Sequence, residues 1–537
     1  MQKNQEYILD IEAVSTDGSG IGRLDGMAVF VPLTAVGDRA KVKILKAKKT
    51  YAYGKLISLI KPSKNRIDND CGAFAQCGGC VYRHISYEAE KAIKQNAVYE
   101  NIKRIGGVDM KPQPIICDNP DRYRNKAQYP ISPDYSAGFY AFHSHRIIPC
   151  EDCLLQPQIF SKITDAVTDW AKEKDISIYN ETENAGFLRH IYIRKAAQTD
   201  EIMVCLVING DFLPESDDLV EKLKNVCGEN LKSVQININK KDTNVILGDK
   251  CKTVYGEDYI TDILCGVKIR LSPLSFYQVN HTMAEKLYEK AREYACPKGK
   301  NIMDLYCGAG TIGLSMAKDA KSIIGVEIIP EAIEDAKHNA KINGINNARF
   351  ICADATAAAK QLEKEGVTCD AIIVDPPRKG CSAEVINTIT QSFKPKDVVY
   401  VSCDSATLSR DIKLFGENGY ALKEYTPCDL FPRTSHVETV ALLSQRRPDE
   451  HIDITIDLTE FDTTAAELKA TYPEIKEYVL NKFGLKVSSL YISQVKTKCG
   501  IIERENYNKG KAGHRVPQCP KEKEDAIMDA LKHFKMI

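Results

Sequence analysis

The stretch "DLYCGAGTIGLSMA", Asp304 to Ala317, decides the fold. An apolar run ends in a glycine-rich turn from which a helical pattern starts, and Gly308, Gly310 and Gly313 let backbone N–H groups approach a ligand at the helix N-terminus. One glycine pattern is weak evidence, but its surroundings strengthen it. From Lys300 onward the β-type runs "NIMDLYC", "SIIGVEI", "ARFICAD", "AIIVDPP" and "VVYVSCD" alternate with helical stretches, which predicts a doubly wound parallel sheet. Ligands on such sheets bind beyond the strand C-terminal ends. The chain sets acids there: Glu327 on the second run, Asp354 on the third and Asp375 on the fourth. An acid about twenty residues after the glycines binds ribose hydroxyls. Acids on three successive strands suit S-adenosylmethionine better than a nicotinamide cofactor.

The fourth run continues as "DPPR", with Arg378 where methyltransferases acting on exocyclic amines carry an aromatic that stacks on the base. Amine methylation is therefore disfavoured. The fifth run leads into "SCDSATLSRD", which puts Cys403 at the same sheet edge. A cysteine near a strand end is more often packing than chemistry. Glu438, at the start of a late strand in "FPRTSHVETVALLSQ", shifts the balance. A thiol and a carboxylate converging on a methyl donor suggest carbon methylation: a thiolate adds to pyrimidine C6, the enolate takes the methyl at C5, and a base removes the C5 proton. His436 rivals Glu438 as that base, because its ordinary pKa lies nearer neutrality.

At 537 residues the chain is too long for one core, and no apolar run approaches the roughly 20 residues of a membrane helix. "MQKNQEYILD" carries no signal-peptide pattern, and 19 cysteines without one point to a reducing compartment, so cytoplasm is the expectation. Formal net charge is zero, yet residues 1–67 hold twelve Lys/Arg against six Asp/Glu, and "KAKKTYAYGK", Lys46 to Lys55, interleaves cations with tyrosines. That mixture grips phosphates and stacks on bases, although a solvated strand edge would look the same. The expected architecture is multidomain α/β. It comprises an OB-like β-barrel over 1–62, a central α+β region over 63–266, a Rossmann-like domain over 267–447 and a small helical extension over 448–537.

"CGAFAQCGGC" sets Cys71, Cys77 and Cys80 close together, and "CEDCLLQPQ" offers Cys150 or Cys153 as a fourth thiolate. Four thiolates suit zinc or an iron–sulfur cluster; three clustered ligands with one distant suggest [4Fe–4S]. The C-x5-C-x2-C spacing differs from that of radical S-adenosylmethionine enzymes. The stretches "DRYRNKAQYP" and "GFLRHIYIRK" cluster cations and aromatics on expected strands, a mixture expected near an RNA-binding surface or on a solvated strand face. "ATYPEIKEYVLNKFGLKVSSLYISQVKTKCG" reads as helix, turn, helix, with ten Lys/Arg against four Asp/Glu from Lys469 to Arg515, compatible with an RNA-contacting appendage.

"SFYQVN", "DLYCGAGTIGL", "VDPPRKG", "YVSCDSATLSRD" and "FPRTSHVETVALL", in this order, resemble the S-adenosylmethionine-dependent RNA uracil-5-methyltransferases over about residues 1 to 447. The resemblance implies Cys403 as nucleophile and Glu438 as proton acceptor, with Gln278, Tyr306, Glu327 and Asp375 lining the cofactor site. "GSGIGRLDGMAVFVP" resembles a TRAM domain, which makes RNA the expected ligand. The ribosomal RNA branch carries a [4Fe–4S] cluster, whose ligands map onto Cys71, Cys77, Cys80 and, before "LLQPQ", Cys153. The leading expectation is 5-methyluridine formation in 23S ribosomal RNA by a monomeric enzyme. A tRNA-directed enzyme and a non-catalytic RNA-binding assembly factor are the alternatives. A DNA cytosine-C5 enzyme fits poorly, since "DPPRKGC" offers no Pro-Cys nucleophile.

Overall fold

The computed structural model describes residues 1–446, 471–499, 518–534 and 536–537. It divides into two compact units, 1–447 and 448–537.

The first unit opens with a closed barrel of β1 (Glu6–Val14), β2 (Gly20–Leu24), β3 (Met27–Val31), β4 (Arg39–Ala47) and β5 (Tyr51–Lys61), paired in the order β1-β2-β3-β5-β4. Period-two alternation builds it: Leu9, Ile11, Val29, Val31, Val42 and Ile44 fill the inside while charged residues between them face out. Gly54 has no substitute where β5 crosses β4, because a Cβ there would lie 2.3 Å from a Val42 methyl.

Helix α1 (Tyr87–Arg104) follows, then β6 (Lys126–Pro130), the hairpin β7 (Gly138–Tyr140) and β8 (Ile147–Pro149), α2 (Ile159–Glu173), β9 (Leu188–Lys195), β10 (Ile202–Ile208), α3 (Ser216–Cys227), β11 (Leu231–Ile238) and β12 (Lys250–Gly256). These strands form a sheet in the order β12-β11-β10-β9-β6. β10 is buried at every residue because it is covered twice, by α2 and α3 on one face and by the downstream domain, through Met203 and Cys205, on the other.

A hairpin of β13 (Ile260–Leu264) and β14 (Val267–Leu271) precedes α4 (His281–Ala295). The last layer alternates β15 (Asn301–Leu305), α5 (Thr311–Met316), β16 (Ser322–Glu327), α6 (Pro330–Ile342), β17 (Ala348–Cys352), α7 (Ala355–Lys364), β18 (Ala371–Val374), α8 (Ala383–Asn387), β19 (Asp397–Ser402) and α9 (Ser405–Glu417), ending in β20 (Tyr420–Cys428) and β21 (Glu438–Gln445). Strand order is β17-β16-β15-β18-β19-β21-β20. The five strands β15 to β19 are parallel as the alternation predicts, but β21 inserts antiparallel between β19 and β20. The order reverses between β15 and β18, which opens a crevice at their C-terminal ends. Helix α1 packs Val98 and Ile102 into the same core as Leu408 and Phe415 of α9.

The second unit is three helices, α10 (Tyr472–Phe483), α11 (Ser489–Lys498) and α12 (Lys521–His533), around Ile475, Val479, Ile492, Val495, Ile527 and Leu531. A capping box between Thr471 and Glu474 starts α10, and Gly484, at φ +68°, ends it. The expected helix, turn and helix are present. The part of the basic stretch at 500–517 lies outside the described residues. Among the described residues no helix is long and apolar enough to cross a membrane.

Candidate active site

Strand β19 delivers Cys403. Its antiparallel ladder with β21 ends at the pair Ser402 and Thr439; Cys403, in a bend, follows the one, and Glu438 precedes the other. The carboxylate of Asp404 caps α9 by accepting the N–H groups of Ala406 and Thr407, both at 2.9 Å, and the Ser402 hydroxyl donates to the Asp404 carbonyl at 2.9 Å. Cys403 is thereby held just ahead of a helix N-terminus, where the helix dipole favours a thiolate.

Burial pushes the Cys403 thiol up to about 11, reinforced by Glu438 and Asp375 and opposed by Arg378. Glu438, 6% exposed, is raised to about 8 by burial and by Asp375, again against Arg378. Asp375, just beyond β18, is raised by burial to about 7. The thiol, the two carboxyls and the guanidinium therefore form one electrostatic cluster. His436 is exposed overall, with its ring against Phe431 at 6.2 Å between centroids; partial burial, then Arg378, Lys94 and Arg124, lower its pKa.

The glycine turn is tied to the acids around it. Asp304, buried at the end of β15, accepts the Gly313 N–H at 2.9 Å, yet burial, Asp375 and Glu327 raise it to about 7. Glu327, ending β16, accepts the N–H groups of Gly308, Ile328 and Ile329 at 3.2, 2.8 and 3.0 Å, linking the turn to the start of α6. Asp354 is the N-cap of α7 and accepts the Thr356 N–H. Tyr306 is half-buried at φ +66°, with its hydroxyl raised by burial, Cys381 and Asp354. Gln278 is half-buried, and the Asn125 side chain donates to its backbone carbonyl at 3.0 Å. Two residues on, Asn280 caps α4 and donates to the Leu430 carbonyl at 3.1 Å.

Cys403 opens onto a cleft of about 870 Å³ between the barrel and the sheet. Its walls include Glu12 of β1, Lys94 and Arg104 of α1, and His436. On the barrel itself Phe30, Tyr51 and Tyr53 cluster at 5.5 to 5.9 Å beside exposed Lys46, Lys48, Lys49 and Lys55.

Cys71, Cys77, Cys80, Cys150 and Cys153 all line a second cavity, of about 220 Å³, and all are free thiols. Arg83, buried after Cys80, clamps this loop through Asp70 at 2.8 Å and Asp121 at 2.5 Å. Burial pushes Cys80 up to about 12, whereas a hydrogen bond from Cys150 lowers Cys153 to about 7. Among the described residues no three His, Cys, Asp or Glu side chains are drawn together as a metal-holding group.

One expectation is corrected. "GFLRHIYIRK" forms β9, but Arg189, His190 and Arg194 are buried there. Arg189 donates to the carbonyls of Asn239 and Lys241, and Arg194 to those of Ser272 and Ser275. These cations join the sheet to its neighbours and do not form an RNA-facing surface. A second feature escaped sequence reasoning: Glu90 and Lys94 are buried on α1, joined by a 2.7 Å ion pair. Their signal was present, since Glu90, Lys94, Val98 and Ile102 recur every four residues on the face that enters the core.

Residues 196–446 match the family described as tRNA (Uracil-5-)-methyltransferase, and residues 2–57 match the TRAM domain. The chain is 42% identical over 450 residues to an uncharacterized RNA methyltransferase of Halalkalibacterium halodurans, covering 82% of this chain and 98% of that protein. It is 41% identical over 446 residues to one from Caldanaerobacter subterraneus, with the same coverage. Among solved structures it is similar to the Pyrococcus abyssi tRNA (uracil-54, C5)-methyltransferase in complex with S-adenosyl-L-homocysteine. That similarity has a TM-score of 0.67 at 27% identity and spans 81% of this chain and 100% of that one.

Proposed function

This chain belongs to the RNA uracil-5-methyltransferase family, which acts with S-adenosylmethionine, and on that premise we propose that it methylates C5 of a uridine in 23S ribosomal RNA through a covalent adduct on Cys403. The observation that carries the proposal is Cys403 and Glu438 beside the end of the β19–β21 ladder, where the Glu438 charge raises the thiol and Asp375 and Arg378 act on both. In this reading S-adenosylmethionine supplies an electrophilic methyl group. Gln278, Tyr306, Glu327 and Asp375 line its site around the glycine turn. The Cys403 thiolate adds to uracil C6 and pushes the electron pair toward C5 and O4, which makes C5 nucleophilic. After methylation Glu438 removes the C5 proton; that electron pair re-forms the C5–C6 double bond and expels the thiolate. Glu438 is preferred to His436 because it is buried at the start of β21 and its charge acts on the Cys403 thiol, whereas His436 is exposed.

The cavity thiols support a [4Fe–4S] cluster on Cys71, Cys77, Cys80 and Cys153, with Cys150 as the neighbour that hydrogen-bonds Cys153. Such a cluster resembles the ribosomal RNA branch and favours the 23S substrate. A tRNA substrate is the second reading, favoured by the similarity to the Pyrococcus abyssi enzyme. The enzyme in this proposal works as a monomer in the cytoplasm, with the barrel holding RNA and the three-helix unit as an accessory.

Labelled S-adenosylmethionine with unmodified 23S ribosomal RNA and unmodified tRNA tests the substrate. Label recovered as 5-methyluridine in the ribosomal RNA alone is expected; label in tRNA alone moves the assignment.

A further inference from the structure

Glu438 is placed by its backbone. Its buried carboxyl accepts no hydrogen bond from the described residues. The strand ladder fixes one side of it, and the other side is the loop from Asp429 to Val437 that enters β21.

That loop is anchored residue by residue from outside. The Asp429 carboxylate accepts from Lys94 Nζ at 2.7 Å and from the Tyr87 hydroxyl at 2.9 Å. The carbonyls of Leu430, Phe431 and Pro432 accept from Asn280 at 3.1 Å, Lys94 at 3.1 Å and Tyr123 at 2.9 Å. Arg433 N–H donates to Glu90 at 2.7 Å, and its carbonyl accepts from the N–H groups of Val81 at 2.8 Å and Tyr82 at 3.2 Å. Arg433 also sits at φ +69°, the left-handed region that non-glycine residues avoid, and such strain persists only where surrounding contacts over-determine it.

The centre of this clamp is a set of buried charges. The Lys94 side chain is 1% exposed, and Glu90, Asp429 and the Phe431 carbonyl take its three protons. Arg433 Nη1 lies 3.6 Å from Glu90 Oε2, so two cations face two carboxylates. Buried ion pairs add little stability over apolar packing of the same volume, and their best-attested use is to specify one geometry. Here that geometry is the loop carrying Ser435 and His436 past Cys403, since Lys94 and both these residues line the same cleft. Asn101, farther along α1, donates to the Ser405 hydroxyl at 2.8 Å beside Cys403, so the helix touches both sides of the site.

We infer that Glu90, Lys94, Asp429 and Arg433 are positioning residues: they hold the Glu438 carboxyl at the C5 proton and thereby control release of the covalent RNA intermediate. The inference rests on the reading of Glu438 as the base. Methyl transfer precedes proton removal, so a misplaced Glu438 leaves methylated RNA attached to Cys403.

The test uses the full-length protein, labelled S-adenosylmethionine and an RNA bearing the target uridine. It compares wild type, Glu438→Gln, the charge-balanced double variant Glu90→Gln with Lys94→Met, and Tyr87→Phe. In the double variant kcat is expected to fall about 10- to 100-fold with KM for RNA nearly unchanged, as a misplacement of about 1 Å does, and the labelled adduct on a denaturing gel to rise as in Glu438→Gln. Tyr87→Phe, which removes one hydroxyl from the clamp, is expected to shift adduct and product the same way by a few-fold. A lowered Tm with unchanged partition between adduct and product, in the double variant or in a folded Tyr87→Phe, overturns the positioning role while leaving the base assignment standing. No trapped adduct in Glu438→Gln overturns both.

Discussion

Cys403 and Glu438 each lie one residue beyond Ser402 and Thr439, the last pair of the antiparallel ladder between β19 and β21, and the Glu438 charge helps to raise the Cys403 thiol. The thiol follows the end of β19 and the carboxyl begins β21, with α9 and β20 between them in the chain. Replacing Cys403 with Ala should lower 5-methyluridine formation at least about 10³-fold and abolish the covalent RNA complex. Circular dichroism and Tm should change little, because Cys403 is only half-buried. Undiminished turnover in the variant would sink the covalent route.

Glu438, raised to about 8, must be ionised to take a proton, and Asp375, raised to about 7, titrates beside it. Single-turnover product release should therefore rise about tenfold per pH unit below pH 7 and level off above about 8. Glu438→Gln should remove that limb and slow release by about 10² to 10⁴. A pH–rate profile that keeps its shape in the variant would assign the limb to another group.

The same shift has a cost in stability. The folded pKa of Glu438 lies above its unfolded value near 4.5, so the folded state binds the extra proton between them and stability falls as pH rises from about 4.5 to about 8. Glu438→Gln stays neutral throughout. Its Tm should match the wild type near pH 4 and exceed it at pH 8, by a margin worth up to a few kcal/mol. Denaturation curves at the two pH values check this; a variant destabilised at both would contradict it.

Gly310 lies at φ +79° in the turn, and a Cβ there would come 3.0 Å from the Phe350 ring and 3.2 Å from Ala336. Gly310→Ala should cost about 1 to 2 kcal/mol of stability. It should also weaken S-adenosylhomocysteine binding about tenfold, measured by calorimetry. Unchanged affinity would remove the glycine turn from the cofactor site.

Cys77 lines the thiol cavity and accepts the Gly79 N–H at 3.3 Å. Cys77→Ser should lose bound iron and the visible absorbance of an iron–sulfur centre, whereas Cys150→Ser should keep most of both. Full iron in the Cys77 variant would exclude the cluster on these ligands.

What the sequence determined was local or tied to the order of elements. The alternation of apolar runs and helices identified the parallel sheet, and the glycines and the acids at strand ends marked its binding edge, because backbone reach and strand polarity dictate where a ligand can sit. It also brought Cys403 to that edge. Glu438 and His436 stand two residues apart in one short stretch, and only the fold shows Glu438 buried at the start of β21 and His436 exposed in the loop before it. The cations of β9 read as a surface because their partners are carbonyls of distant segments. The clamp joining Glu90 and Lys94 to Asp429 and Arg433 spans more than 330 residues. No local pattern names such a partner. Only the folded core, where an unpaired charge is costly, decides which buried carboxylate meets which cation.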